Sequence, residues 1–193
     1  MAINENDIFY YECKAECQIV DDIINFIEER KTWGDYWYWD HMWYPPEKML
    51  NDPFMVKLAK RARFKVGILK GPPTSCYDWH DDNPARNYTL NLLLNPEIDS
   101  KCVFSKDRME KQDQAIKEGV LTHKNLPFVG IIDICELKYK PKKFYLFNTK
   151  IDHVVFNFSD KERYIISLEF QGDAAKLEYH EMLEVIKDIE KEE

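Results

Sequence analysis

His80 and Asp82 stand two residues apart at the head of an apolar run, and a second histidine, His153, opens a later apolar segment. On a strand, residues two apart point to one face, so His80 and Asp82 could aim an imidazole and a carboxylate at one place while Asp81 faces away. Two histidines and one carboxylate cover one face of an octahedral metal and leave three positions open, enough for O2 and a chelating co-substrate. Arg163 follows on a late strand, with Ser167 on the same strand face. A guanidinium is always charged and grips a carboxylate with two parallel bonds. A hydroxyl four residues along could share that carboxylate. Arg163, Ile165 and Ser167 would point inward, and Tyr164, Ile166 and Leu168 outward.

Each residue also has a plainer role open to it. His80 could be a satisfied core histidine, Asp82 a cap for the Asn83-Pro84 turn, and His153 a strand-edge residue. Arg163 could pair with any surface acid. Their joint spacing is what favours a metal and a carboxylate ligand.

The elements that must hold these side chains are short strands closed by helices at both ends. The pattern predicts strands over 8–13, 65–70, 75–80, 87–95, 102–105, 129–140, 143–147, 153–158 and 163–170, with turns at Gly71-Pro72-Pro73, Pro141, Asn148 and Ser159-Asp160. Apolar spacing and early acids predict a helix over 20–30, closed by Gly34, a second over 53–63 and a last over 173–192. That last helix carries a stripe of Tyr179, Met182, Leu183, Ile186 and Ile189. Within 87–95, Leu90, Leu92 and Leu94 share an apolar face, while Thr89, Asn91 and Leu93 share a mixed one suited to a wetter pocket. The aromatic block 33–44 lacks strict alternation and reads as a core strand plus packed loop, or else as a cleft wall, with His41 a packed histidine. His123 has no evident partner.

The fold class that follows is mainly β with flanking helices (α+β), a β-sandwich or jelly roll. The expected organisation is a single domain over 1–193. Residues 1–64 form a helical and aromatic support, 65–171 a jelly-roll core with a charged insertion at about 97–127, and 173–193 the C-terminal helix. The chain has 193 residues and a net charge of −8, which argues against nucleic-acid binding over the whole surface. No apolar run reaches membrane-spanning length, and the first residues lack a basic-then-apolar signal, so a cytoplasmic protein is expected. The five cysteines, odd in number and irregularly spaced, read as reduced thiols; Cys13-x-x-x-Cys17 lacks the second half of a zinc site.

The pattern His80-x-Asp82, His153, Arg163-x-x-x-Ser167 resembles the Fe(II)/2-oxoglutarate-dependent oxygenases. The segment HDDNPARNYTLNLLLN is similar to the corresponding strand of prolyl 4-hydroxylases, and FNTKIDHVVFNFSDKERYIISLEF to that of aspartyl/asparaginyl hydroxylase-like proteins. The match runs from near Lys65 to Phe170, interrupted by the insertion. It implies a double-stranded β-helix, a distorted jelly roll. His80, Asp82 and His153 would hold Fe(II). Arg163, aided by Ser167, would bind the distal carboxylate of 2-oxoglutarate, and Thr89 and Asn91 would make further co-substrate contacts. Leu93 stands where prolyl hydroxylases often have a tyrosine; Arg86 and Tyr88 are candidate substitutes, and Asn157, on the face of His153, could steady the site.

The implied activity is hydroxylation of a peptidyl Pro, Asn or Asp or a free amino acid, with release of succinate and CO2 and with ascorbate as a candidate reductant. With Asp82 as a ligand no position remains for halide, which disfavours halogenation. The alternative is a non-catalytic jelly-roll domain that keeps a metal for structure or binds a small acid. A cupin-type metal enzyme would call for His-x-His, which is missing.

Overall fold

The computed structural model describes residues 8–30, 32–36, 39–82, 86–95, 97–105 and 134–192. The Asn83-Pro84 turn, the charged insertion from residue 106 onward, and His123 lie outside them. Eleven strands are described: β1 (Tyr10–Glu16), β2 (Gly34–Tyr36), β3 (Trp39–Tyr44), β4 (Arg63–Gly71), β5 (Ser75–His80), β6 (Tyr88–Leu93), β7 (Ser100–Ser105), β8 (Ile134–Lys138), β9 (Lys143–Asn148), β10 (His153–Asn157) and β11 (Arg163–Gln171). Four helices accompany them: α1 (Val20–Arg30), α2 (Pro46–Met49), α3 (Pro53–Ala59) and α4 (Tyr179–Ile189).

The strands form two antiparallel sheets. The larger has the order β1-β9-β6-β11-β4-β3-β2 and the smaller β5-β10-β7-β8. They face each other as a jelly roll. Leu93, Ile165 and Phe147 from the large sheet meet Cys102, Phe104 and Leu137 from the small one in a shared core. The opposite face of the large sheet buries Leu90, Leu92, Ile166, Leu168, Val66 and Ile68 against Ile23 and Phe26 of α1, Leu58 of α3 and Met182 and Ile186 of α4. The β6 split expected from the sequence is present: even-numbered leucines face the helices, and Thr89, Asn91 and Leu93 face the other sheet. A strand covered on both sides is buried at every residue, as β6 is.

Local chemistry accounts for the helix starts. Asp21 and Asp22 sit in the first turn of α1 and Arg30 in its last, matched to the helix dipole. Asp52 caps α3 by accepting from the Met55 amide at 3.0 Å, ahead of Pro53. The Glu178 amide donates to the Glu181 carboxylate at 2.7 Å, closing the first turn of α4. The five-residue stripe expected on this last helix is its buried face.

The N-terminal third is more than a support, because β1, β2 and β3 extend the large sheet at both edges. Strict alternation also holds inside β3: Met42 and Tyr44 enter the helix-side core, while Trp39, His41 and Trp43 face the other way. Gly34 does not close α1; it opens β2 opposite His41. All five cysteines are free thiols, Cys76 exposed and the other four buried. Among the described residues no helix is long and apolar enough to cross a membrane.

Candidate functional site

A cavity of about 500 Å³ opens between the two sheets. Its small-sheet wall carries His80, at the end of β5, and His153, at the start of β10. The two are direct cross-strand partners, followed by a register shift before Val155. Their ring centroids are 4.2 Å apart. The His80 Nδ1–H donates to the Asp78 carbonyl at 2.6 Å, and the His153 Nδ1–H to the Ile151 carbonyl at 2.9 Å. A carbonyl can only accept, so both Nδ1 atoms carry the proton and both Nε2 atoms keep a lone pair. Burial, and then the adjacent His153, push His80 down from 6.5 to about 4. Burial likewise lowers His153, against the pull of Asp82. Two neutral imidazoles with fixed tautomers are the state in which histidine ligates a metal.

Asp82 lies just beyond β5 and lines the same cavity, as does Asp81, which the strand rule had turned away. Backbone bonds hold this stretch: the Asp82 amide donates to the Thr149 carbonyl at 2.9 Å, and the Thr149 hydroxyl to the Arg86 carbonyl at 2.9 Å. The Asp82 carboxylate accepts from Arg86 Nε through Oδ2 at 2.9 Å. Among the described residues no three His, Cys, Asp or Glu side chains are grouped closely enough to hold a metal ion. The structure therefore brings the two histidines together and leaves Asp82 beside them, engaged by Arg86.

Across the cavity stands Arg163, 2% exposed. Its Nε donates to the Ser100 hydroxyl at 2.8 Å and its Nη2 to the Tyr139 hydroxyl at 3.1 Å. Its guanidinium carbon lies 5.4 Å from the ring centroids of both Trp39 and Tyr139. No carboxylate pairs with it among the described residues. A buried ion without a counter-ion costs several kcal/mol, which an incoming carboxylate would offset.

Ser167, expected at the side of Arg163, lies two inward positions further along β11. Its hydroxyl is 2.9 Å from that of Thr89 and 3.5 Å from Arg86 Nη1. Thr89 and Asn91 do line the cavity, and so does Arg86. Tyr88 does not: it is packed in the helix-side core, and its hydroxyl donates to the Ala174 carbonyl. Asn157 braces a turn instead, donating to the Pro72 and Lys161 carbonyls at 2.8 Å each. His41 packs edge-on against Trp43 at 4.5 Å, away from the histidine pair.

The sequence reading missed Trp39, Tyr139 and Ser100. Trp39 was legible in the 39/41/43 alternation. Tyr139 and Ser100 sit on segments with no motif, and only the packing of the two sheets brings them to Arg163.

No protein-family model matches the sequence, and no curated protein does. Solved structures do match the fold. A prolyl-4-hydroxylase of Pseudomonas putida superposes with a TM-score of 0.54 at 12% identity, over 86% of this chain and 95% of that one. A 2OG-Fe(II) oxygenase-family oxidoreductase from Burkholderia pseudomallei gives 0.54 at 12% identity, over 88% and 92%. The non-heme alpha-ketoglutarate-dependent epimerase SnoN of nogalamycin biosynthesis gives 0.53 at 9% identity, over 84% and 77%. At such identities the likeness is one of fold: this chain folds as a jelly roll of the kind found in 2-oxoglutarate oxygenases.

Proposed function

We propose that the protein is an Fe(II)- and 2-oxoglutarate-dependent dioxygenase that hydroxylates an amino-acid or peptidyl substrate. One observation carries this reading. Two imidazoles with unclaimed lone pairs and a buried guanidinium without an acid, among the described residues, line the same cavity. The first pair suits a metal, the second a carboxylate, and a keto diacid would join them.

His80 and His153 would ligate through Nε2, and Asp82 through its carboxylate. The Arg86 bond occupies Oδ2, so Oδ1 is available, and ligating carboxylates are commonly held by such a neighbour. Arg163 would clamp the far carboxylate of 2-oxoglutarate, its fork held by Ser100 and Tyr139. Thr89, Asn91 and Ser167 would contact the co-substrate along its length, and Leu69, Val155 and Ile165 would exclude water. Bound iron and 2-oxoglutarate supply the oxidising power, with the keto acid and O2 converted to succinate and CO2 as one oxygen atom enters a C–H bond of the substrate.

The engagement of Asp82 by Arg86 favours a second reading, a non-catalytic jelly-roll domain that holds a metal or a small diacid. The test is succinate release from Fe(II)-loaded protein given 2-oxoglutarate and O2. Asp82→Ala should abolish turnover and weaken iron binding; unchanged turnover would remove Asp82 from the metal shell. Binding of 2-oxoglutarate with no succinate, across a broad panel of amino acids and peptides, would favour the second reading.

A further inference from the structure

Beside the cavity runs a groove of about 270 Å³ that shares Leu69, Arg86 and Ser167 with it. The groove continues along β11: Arg163, Ile165, Ser167 and Glu169 alternate on one face, the first three in the cavity and the last two in the groove. His41 and Trp43 of β3 form its other wall. Trp43 is 49% exposed, which is unusual for so large a ring with one face turned to a polar groove.

Opposite charges line this groove without pairing to each other. Among the described residues Glu169 makes no ion pair. Arg86 uses Nε on Asp82 and Nη1, at a long 3.5 Å, on Ser167, leaving most of its N–H donors for another partner. Lys65 is opposite Glu169 in the β4–β11 ladder, yet its ammonium lies 5.4 Å from the centroid of the Trp43 ring. The outer end therefore presents the Glu169 carboxylate, beside a Trp43 face that Lys65 already covers, and the inner end presents a guanidinium. Burial lowers the pKa of His41 on the same wall, against the pull of Glu169. Ser167 and Glu169 are two positions apart on one strand, about 7 Å. Arg86 reaches Ser167 from one side, so guanidinium and carboxylate flank one stretch of β11, where a short dipolar molecule can make a charge-assisted hydrogen bond of about 2.8 Å at each end.

We propose that this groove is the substrate subsite and that it takes a free α-amino acid or similar short zwitterion, its carboxylate on Arg86 and its ammonium on the Glu169 carboxylate. The proposal rests on the dioxygenase reading for the reaction, though not for the binding. A residue inside a peptide has neither backbone charge, so among the substrates considered above the groove selects the free amino acid.

The experiment titrates the metal-free full chain with each proteinogenic L-amino acid beside its N-acetyl and carboxamide forms, following the Trp43 indole and backbone amides by NMR. At least one free amino acid should bind, and blocking either end should weaken it by about tenfold or more. Glu169→Gln, an exposed and conservative change, should abolish discrimination against the N-acetyl form while keeping that against the carboxamide. Equal binding of free and blocked forms overturns the proposal. So does a failure of every free amino acid to bind, and if a peptide then still drives succinate release, the dioxygenase reading survives alone. The expected pattern without succinate release supports the subsite and overturns the dioxygenase reading instead.

Discussion

At the residue scale, Arg163 leans on two rings and two hydroxyls while no carboxylate among the described residues reaches it. Such a charge weakens the ligand-free fold and strengthens ligand binding. Arg163→Met should leave the ligand-free protein as stable as before, or more stable by about 1–4 kcal/mol. In wild type, 2-oxoglutarate at about a hundred times its Kd should add about 2.7 kcal/mol, and in the variant that gain should vanish. Urea unfolding with and without 2-oxoglutarate checks both. The histidine pair predicts a pH response. Both imidazoles are depressed in the folded state, His80 to about 4, while unfolded histidine sits near 6.5. The unfolded chain therefore binds more protons in that window. The stability these histidines contribute is full above 6.5 and is lost as pH falls toward 4. Urea midpoints measured from pH 7.5 to 4.5 should drop, and the drop should shrink in His80→Asn.

At the element scale, the position of Arg163 depends on the strand beside it. Gly71 is the cross-strand partner of Arg163, and Trp39 lies across Gly71. A Cβ at position 71 would sit 1.9 Å from Trp39 Cζ3 and 2.8 Å from Cη2, so the ring must move. Trp39 is also the ring under the guanidinium, and it packs edge-on against Tyr77 at 5.7 Å, which in turn contacts His80 at 4.0 Å. Gly71→Ala should therefore cost about 1–3 kcal/mol and weaken 2-oxoglutarate binding as well, read by denaturation and by titration followed through tryptophan fluorescence. Undisturbed affinity would detach Trp39 from the site. Lys70, next to Gly71, points to the other side of β4, where Asp40 at 2.6 Å and Glu162 at 3.5 Å neutralise it.

At the scale of the whole molecule, the large sheet separates two environments. Its helix side is a continuous apolar core that includes Met182 and Ile186 of α4. Its other side lines the cavity, with Arg163, Ser167, Thr89 and Asn91. Because β6 and β11 stand between them, a defect in one layer should not reach the other. Ile186→Ala should lower stability by about 2–4 kcal/mol while leaving 2-oxoglutarate affinity unchanged, measured by urea unfolding and calorimetric titration. A parallel loss of affinity would mean that the layers are coupled.

Apolar periodicity made much of this architecture readable. Helix α1 and strand β5 have the bounds expected of them, and β6 divides its two faces as its leucines require, because a local hydrophobic pattern decides which side of an element is buried. The residue types at 80, 82, 153 and 163 likewise pointed to a single site, and all four line the cavity between the sheets. Tertiary structure alone decided who stands beside whom. It put Ser100 and Tyr139 against Arg163, gave the Asp82 carboxylate to Arg86, sent Tyr88 into the helix-side core and turned Trp43 toward Glu169. Those pairings join segments far apart in the chain, and they follow from sheet order and register, which no local pattern of residues encodes.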